Sequence, residues 1–346
     1  MTQIVLPDRI QDDTASAPET VMMRAIVQHI YGAPHTVLAL QDIAKPMLKD
    51  DEVMVRVHAA SLHIGDWLLV RGVPYLLRLF TGLRRPKNPV PGTDIAGTVV
   101  GVGKDVTQLQ VGDEVFGWCA GAFAEYACAG ADHFVPKPAN LTFAQAAAVG
   151  VSASTALQLL RDQGKVQPGQ TVLINGASGG VGTFAVQIAK AFGADVTGVC
   201  STKNMDMVRS LGADHVIDYT QEDFTQGEQR YDFILDNVAN HSLSATRRAL
   251  TPNGRLQANG GGHARGRWIG PLGIVMKVAA VSLFVRQQLG PSVKFQNRAD
   301  LLVLKDLLEA GKIMPVIDGT YPLSGTPEAM GHVGDGHARG TVVITV

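Results

Sequence analysis

Cysteine, net charge and long apolar runs are all scarce in this 346-residue chain, and each scarcity excludes a class of protein. Only Cys119, Cys128 and Cys200 occur, without a CxxC pair, so neither a disulfide framework nor a thiolate zinc cluster is expected. A net charge of -1 offers no basic field to nucleic acid or to an anionic membrane. We therefore expect a small-molecule ligand, with neither nucleic acid nor membrane as a partner.

Targeting signals are also lacking. The first residues carry acids where a signal peptide needs positive charge, which predicts a cytoplasmic protein, and residues 1–22 are interpreted as a polar extension. The segment Pro271–Val285 is almost wholly apolar, but it has 15 residues and contains Lys277. A membrane-spanning helix needs about 20 apolar residues, so a buried or pocket-lining helix is predicted there.

Two patterns of predicted secondary structure divide the chain. From Met23 to about residue 135, short alternating segments separated by Gly and Pro indicate a barrel-like β domain. Strands then alternate with helices, which is typical of a parallel, doubly wound sheet, and the final "TVVITV" alternates like the strands of the first half. The predicted domains are residues 23–148 with 291–346, and residues 149–290 inserted between them.

A glycine-rich loop lies between the predicted strand "TVLIN" and the predicted helix "GTFAVQIAKAF". Free N–H groups and the positive dipole end of a helix bind a pyrophosphate, and glycine lets the backbone approach it closely. In the order strand, loop, helix, strand, this pattern predicts dinucleotide binding. The predicted binding residues of the loop are Ser178, Gly179, Gly180, Val181 and Gly182.

The end of the second strand favours NADPH over NADH. An acid about 20 residues beyond the first glycine would bond the ribose hydroxyls and repel a 2′-phosphate. This chain has "CSTK" there, and the hydroxyls of Ser201 and Thr202 with the Lys203 ammonium suit a phosphate. Tyr219 ends the neighbouring predicted strand, where it packs on adenine or bonds the phosphate. A solvated strand end with a chance lysine, and a half-buried tyrosine, are the alternatives.

Several motifs together resemble the medium-chain dehydrogenase/reductase superfamily, in its zinc-free NADPH:quinone oxidoreductase branch. In family order they are "PGTDIAGTVVGVGKDV", "VGDEVFGW", "GAFAEYA", "NGASGGVGTFAVQIAKAFGA", "LGADHVIDY" and "GHARGTVVITV". The resemblance runs from about Met23 to Val346. It implies an α/β protein with a GroES-like β-barrel domain and a Rossmann domain, a cleft between them for nicotinamide and substrate, and a homodimer. It also implies that Thr155 approaches the nicotinamide, although a threonine there equally suits a bond to its own helix.

The resemblance also bears on metal. Zinc-dependent relatives carry a cysteine where His63 stands, a histidine where Thr93 stands and a further cysteine where Val151 stands. A catalytic zinc needs three protein ligands and an open position. Since two of the three are replaced, no metal site is predicted.

His63 and Asp66 are the catalytic candidates. Quinone reductases usually have an asparagine where His63 stands, while Asp66 keeps the family's acid. His63 either donates a proton after hydride transfer or positions the cofactor or substrate, and a structural histidine fits equally well. Asp66 either orients His63 or caps a helix.

These patterns predict an NADPH-dependent oxidoreductase that passes a hydride to a quinone or an α,β-unsaturated carbonyl. Within the same superfamily, the alternative is an enoyl-thioester reductase or an alcohol dehydrogenase. From another class, the alternative is an NADPH-binding redox sensor or structural protein with little turnover. The substrate is expected to contact residues 262–290, which carry no readable chemical code.

Overall fold

The computed structural model describes residues 21–259, 278, 280–282, 284–291 and 295–346. The polar extension predicted for residues 1–22 and the apolar segment predicted for residues 271–285 therefore lie mostly outside the described residues, as does most of the expected substrate segment 262–290. In the part that is described, no helix has the length and apolar character needed to cross a bilayer.

The first part of the chain is rich in strands. They are β1 (Met22–Gln28), β2 (Leu38–Ala44), β3 (Glu52–Leu62), β4 (Asp94–Val102), β5 (Glu114–Trp118), β6 (Tyr126–Gly130) and β7 (Phe134–Pro136). In β3, Val53, Val55 and Val57 are buried while the residues between them are more exposed. This two-residue period is that of a strand with one face on a core.

The second part forms a parallel sheet. Its strands are β8 (Thr171–Asn175), β9 (Asp195–Cys200), β10 (His215–Asp218), β11 (Tyr231–Asp236), β12 (Leu250–Ala258) and β13 (Gln288–Pro291). They lie in the order β10-β9-β8-β11-β12-β13, and neighbouring strands are parallel. The order reverses between β8 and β11, which is where such sheets bind ligands. The predicted doubly wound α/β architecture is confirmed.

The end of the chain returns to the first part. It contributes β14 (Ile317–Pro322) and β15 (Thr341–Thr345). β15 pairs antiparallel with β3, with Val342 opposite Leu62, which completes the order β14-β15-β3-β4-β5-β7. The closing strand thus belongs with the first half, as its alternation predicted, while the domain boundaries themselves stay predictions.

The described residues also form α-helices. They are α1 (Pro34–Val37), α2 (Ile64–Arg71), α3 (Arg78–Thr81), α4 (Phe143–Ala147), α5 (Gly150–Gln158), α6 (Gly180–Ala191), α7 (Met205–Ser210), α8 (Leu243–Arg248), α9 (Arg298–Glu309) and α10 (Thr326–Gly334). One buried core runs from Phe116 in β5 through Leu157 in α5 to Phe184 in α6. α5 packs on β4 and β5 on one side and on α6 on the other, so it ties the start of β4 to the loop before α6.

Candidate active site and cofactor site

The start of α2 holds the first candidate pair. His63 precedes the helix in extended backbone, and Asp66 stands in its first turn. Asp66 Oδ2 accepts the His63 backbone N–H at 3.1 Å, as a first-turn acid does in a helix cap. The same oxygen lies 3.3 Å from His63 Nε2. Asp66 therefore caps the helix and also lies within ion-pair distance of the imidazole, while its role in orienting that ring stays a prediction.

The Asp66 carboxylate is almost wholly removed from water, with 1% of the residue exposed. Thr93 Oγ1 donates to Asp66 Oδ1 at 3.4 Å. Burial raises the pKa of Asp66 to about 7, although the bonds from His63 and Thr93 act in the opposite direction. Near neutral pH, Asp66 therefore gains or loses a proton at little free-energy cost, which is the property that general acid–base chemistry requires.

A second buried carboxylate belongs to Asp94, the first residue of β4, and it lies against the N-terminus of α5. Its Oδ2 accepts the Val151 backbone N–H at 2.8 Å and the Ser61 hydroxyl at 3.3 Å. Gly150 permits this approach, because a Cβ there would lie 2.3 Å from Asp94 Oδ1. Burial raises the pKa of Asp94 to about 6, while the charge of nearby His63 lowers it. The sequence interpretation assigned Asp94 no role, although the motif "PGTDIAGTVVGVGKDV" contains it.

The positions where zinc relatives place ligands do converge, but the groups there do not fit a zinc ion. Thr93 bonds to Asp66, and Val151 offers Asp94 a backbone N–H, which cannot bind a metal. Within the described ranges, no three His, Cys, Asp or Glu side chains are grouped to hold a metal ion. A catalytic zinc with three protein ligands is not supported by this donor set. Metal independence itself stays a prediction.

The loop between β8 and α6 is shaped by glycine. Gly176 has a φ of +79°, in the left-handed region that glycine adopts without strain. Gly179 then caps α6 in extended backbone. A Cβ on Gly182 would lie 2.0 Å from the Gly176 carbonyl oxygen, so only glycine allows this approach. The other predicted binding residues in this turn are Ser178, Gly180 and Val181. The N–H groups in the first turn of α6 have no partners within the helix, as a pyrophosphate site requires.

The closing segment of the chain completes this loop. The Gly340 N–H donates to the Ser178 carbonyl at 2.8 Å. Next to it, Thr341 is buried, and its hydroxyl oxygen has no hydrogen-bond partner among the residues that the structure describes. A Cβ built on Gly180 would lie 3.6 Å from that oxygen and 3.1 Å from Ser152 Oγ. A buried hydroxyl without a partner at the mouth of a phosphate-type loop indicates a ligand oxygen. The sequence interpretation missed Thr341 and Ser152, although the motif "GHARGTVVITV" contained the first.

Four residues beyond β9, Asn204 connects the loop to the predicted adenosine end. Its buried Nδ2 donates to Ser178 Oγ at 3.1 Å and to Ser201 Oγ at 3.3 Å. Lys203 is exposed, and no carboxylate of the described residues pairs with it. Tyr219 follows β10 instead of ending it, and its N–H donates to the Cys200 carbonyl at 3.0 Å. The fold thus brings Ser201, Lys203 and Tyr219 to one edge, and sequence reasoning missed Asn204.

An acid also lies at this edge, which the sequence interpretation overlooked. Asp218 ends β10 and accepts hydrogen bonds from the Thr202 hydroxyl and from the hydroxyl and N–H of Thr220. The Thr202 bond, above all, holds the pKa of Asp218 below its usual range. The expectation that the Thr202 hydroxyl binds a phosphate is therefore corrected, because this hydroxyl donates its hydrogen bond to Asp218. Ser201 and Lys203 are left as the phosphate candidates.

A polar network borders the crevice where the strand order reverses. Asn175 Nδ2 donates to Asp236 Oδ1 at 2.8 Å and to Asn240 Oδ1 at 3.0 Å. The backbone N–H of Ala239 donates to the same Asp236 oxygen at 2.8 Å. These bonds fix the ends of β8 and β11 relative to each other. The sequence held no signal for them beyond polar residues after two strands.

Thr155, the expected neighbour of the nicotinamide, is buried in α5, one helical turn beyond Val151. α5 therefore carries Thr155, the Asp94 contact at Val151 and Ser152 beside Gly180 on its first two turns. The helix links the candidate active site to the glycine loop. The role of Thr155 at a nicotinamide stays a prediction.

Two family models match the chain. One, described as an alcohol dehydrogenase GroES-like domain, matches residues 49–139, and the other, described as a zinc-binding dehydrogenase, matches residues 211–344. The second match begins beyond His63, Thr93 and Val151. Its description therefore says nothing about zinc ligands at those positions of this chain.

Relatives of known name match over nearly the full length. The chain is 32% identical to the NAD(P)H oxidoreductase RTN4IP1, mitochondrial, of Bos taurus, over 100% of this chain and 94% of that protein. It is 31% identical to the quinone-oxidoreductase homolog, chloroplastic, of Spinacia oleracea, over 93% of this chain and 98% of the relative. A solved quinone oxidoreductase from Coxiella burnetii superposes with a TM-score of 0.81 at 29% identity, over 94% of this chain and 100% of that one. Since the named relatives include mitochondrial and chloroplastic proteins, the cytoplasmic location stays a prediction.

Proposed function

The chain belongs to the medium-chain dehydrogenase/reductase superfamily, in its quinone oxidoreductase branch, and on that premise we propose an NADPH-dependent reductase of quinones or α,β-unsaturated carbonyls. Membership makes the protein an oxidoreductase that uses a nicotinamide nucleotide. The choice of NADPH, the electron-poor substrate and the absence of a catalytic metal are the proposed parts.

The observation that carries the proposal is the cradle formed by the loop before α6 and the closing segment of the chain. Gly182 lets the helix pack closely against the loop. The Thr341 hydroxyl lies beside Gly180 of this loop and has no hydrogen-bond partner among the described residues. Backbone N–H groups of this turn and the Ser178, Ser152 and Thr341 hydroxyls would hold the pyrophosphate. The bound cofactor supplies the hydride.

The preference for NADPH rests on Ser201 and Lys203. Lys203 is exposed, and the strand β9 that precedes it does not end in an acid. Its ammonium can therefore form a charged hydrogen bond to a 2′-phosphate. Asp218 opposes this preference, because its carboxylate lies on the neighbouring strand. Three hydrogen bonds from Thr202 and Thr220 stabilise that charge in place, so it does not need the ribose hydroxyls as donors.

The reaction needs a hydrogen-bond donor that stabilises the negative charge that develops on the substrate oxygen. We assign this hydrogen bond to His63, whose side chain is 16% exposed and whose Nε2 lies 3.3 Å from Asp66 Oδ2. Asp66 has a pKa of about 7, so it can hold or release a proton at the imidazole in the physiological range. No step in this assignment requires a metal.

Steady-state kinetics with both cofactors test the proposal. The purified chain is assayed with a simple quinone, an enone and an enoyl thioester, each against NADPH and NADH. NADPH should be favoured by about tenfold, the lower range for one charged hydrogen bond, because Lys203 is exposed. Lys203→Glu should lower kcat/KM for NADPH and leave NADH nearly unchanged. Lys312→Glu, at an exposed lysine elsewhere, is the matched control.

Each contrary outcome has a distinct meaning. Equal use of both cofactors, or an unchanged ratio in Lys203→Glu, would show that this lysine faces solvent in the complex. Turnover of the enoyl thioester alone would move the chain to the alternative reductase class. A shift of NADPH fluorescence without oxidation by any substrate would identify a cofactor-binding protein instead of an enzyme.

A further inference from the structure

The chain between α2 and β4 exposes a row of large apolar side chains. Leu79, Phe80 and Leu83 are 59%, 73% and 67% exposed, and the adjoining Ile30 is 61% exposed. We refer to residues 75–87 as the 75–87 surface. Side chains of this size contribute most to stability when they are buried, so such a cluster on a surface indicates a binding contact that the described residues do not provide.

The 75–87 surface is held in place by specific contacts. Tyr31 Oη donates to the Gly82 carbonyl at 2.8 Å, and Arg78 Nε donates to the Gly72 carbonyl at 2.8 Å. The Arg78 guanidinium also lies over the rings of Tyr31 and Tyr75, at 4.5 and 4.6 Å. Both ends of the short helix α3 are thus tied to the body of the protein. The apolar side chains are presented to solvent by a fixed backbone.

Charge is concentrated in the same stretch. Residues 67–93 contain five Lys and Arg and no Asp or Glu. With a net charge of -1 for the chain and +5 for this segment, the rest of the protein carries -6. The overall charge from which membrane binding was excluded therefore hides a strongly basic region. Arg84, Arg85 and Lys87 are its exposed members next to Leu83.

A cleft of about 530 Å³ adjoins these cations. Its lining residues are Gln28, His29, Arg85, Pro86, Lys87 and Pro89. Two permanent cations and an imidazole facing one cleft suit a phosphate headgroup. The apolar row lies directly before them in the chain. This combination of exposed Leu and Phe with adjacent Arg and Lys is the composition of a surface that lies in a lipid interface.

We propose that the 75–87 surface docks the protein on an anionic lipid bilayer. Leu79, Phe80 and Leu83 enter the boundary between headgroups and acyl chains, and Arg84, Arg85 and Lys87 contact lipid phosphates. A second copy of the chain is a poorer occupant. A two-fold interface would place this surface against itself, and the cations of residues 67–93, which contain no Asp or Glu, would face each other. Docking also places lipid at the far end of α2, about 12 Å along the helix from His63.

Vesicle co-sedimentation of the full chain tests the proposal. Wild type should bind phosphatidylcholine vesicles that contain 30% phosphatidylglycerol, should bind pure phosphatidylcholine weakly, and should lose binding at high salt. The apolar variant combines Leu79→Ser, Phe80→Ser and Leu83→Ser. The charge variant combines Arg84→Gln, Arg85→Gln and Lys87→Gln. Each cation near an anionic surface contributes about 1 kcal/mol, so the charge variant should lower the partition coefficient about a hundredfold.

Matched controls alter exposed residues outside the surface. The apolar control combines Met47→Ser and Val111→Ser, and the charge control combines Lys104→Gln, Arg248→Gln and Lys312→Gln. Both controls should bind as wild type does. Thermal melting and NADPH fluorescence establish that each variant is folded, and the binding readout does not depend on turnover.

The proposal would be overturned if wild type did not co-sediment with anionic vesicles, or if both surface variants bound these vesicles as wild type does. Gel filtration tests whether a second copy of the chain binds the 75–87 surface instead. An oligomer that dissociates in the apolar variant, together with no vesicle binding, would make this surface an interface between copies of the chain. Vesicle binding lost in both surface variants and kept in both controls is the expected result.

Discussion

Asp66→Asn removes the charge of the buried carboxyl at the start of α2 and keeps its shape. The asparagine oxygen can accept the His63 N–H, and its amide nitrogen can donate to Thr93, so the two contacts of Asp66 persist. What disappears is the ionisation of a buried acid. The variant therefore isolates the dependence of stability on the Asp66 proton.

The magnitude follows from the shift in pKa. Burial raises the pKa of Asp66 from 3.8 to about 7, so the folded state holds this proton more tightly than the unfolded state does. Wild type therefore has this stabilisation in full below pH 3.8 and loses it as the pH rises to 7 and above. A shift of about three units corresponds to about 4 kcal/mol in total. Between pH 5 and 8 the expected loss is about 2.5 kcal/mol, because part of it has already occurred at pH 5.

Denaturant unfolding of wild type and Asp66→Asn at pH 5, 6.5 and 8 measures this difference. The free energy of unfolding of the variant, relative to wild type, should rise by about 2.5 kcal/mol from pH 5 to 8. Asp105→Asn, at an exposed acid, is the control for loss of a surface charge. A difference that is the same at all three pH values would refute the reasoning, since Asp66 would then titrate alike in both states.

Three further predictions concern the site. His63→Asn should retain most activity, because an amide also donates a hydrogen bond; a fall in kcat of about a hundredfold with an altered pH profile would instead make His63 the proton donor. Gly182→Ala should weaken NADPH binding at least about tenfold in a fluorescence titration, because its Cβ would lie 2.0 Å from the Gly176 carbonyl. Gly331→Ala is the control, since nothing lies within 4 Å of that Cβ; equal affinities in the two variants would contradict the tight fit. Dialysis against a strong chelator should leave activity unchanged, whereas stoichiometric zinc whose removal abolishes activity would contradict metal independence.

Much of the architecture follows from local sequence signals. The two-residue period of β3 and the loop between "TVLIN" and "GTFAVQIAKAF" predicted strand, loop and helix, because backbone geometry and glycine act over a few residues. The alternation in "TVVITV" placed the last strand with the first half for the same reason. Even the pairing of Asp66 with His63 was open to sequence reasoning, since the two stand three residues apart at a helix start.

The site depends on contacts between segments far apart in the chain. Thr341 lies beside the loop at Gly180. Asn204 donates hydrogen bonds to both Ser178 and Ser201. Asp218 accepts the hydrogen bond of the Thr202 hydroxyl, which the sequence interpretation had assigned to a phosphate. None of these has a local pattern, because each is created by the packing of one strand end beside another.

The sequence by itself determined the fold class, the glycine loop and the family, since these depend on residues close together or on motifs in fixed order. Only the tertiary structure decided which groups carry charge near neutral pH. It buries Asp66 beneath His63 and Thr93, and it places Asp94 at the N-terminus of α5. Removal from water raises the pKa of both acids, and burial is a property of the whole fold that no short segment encodes.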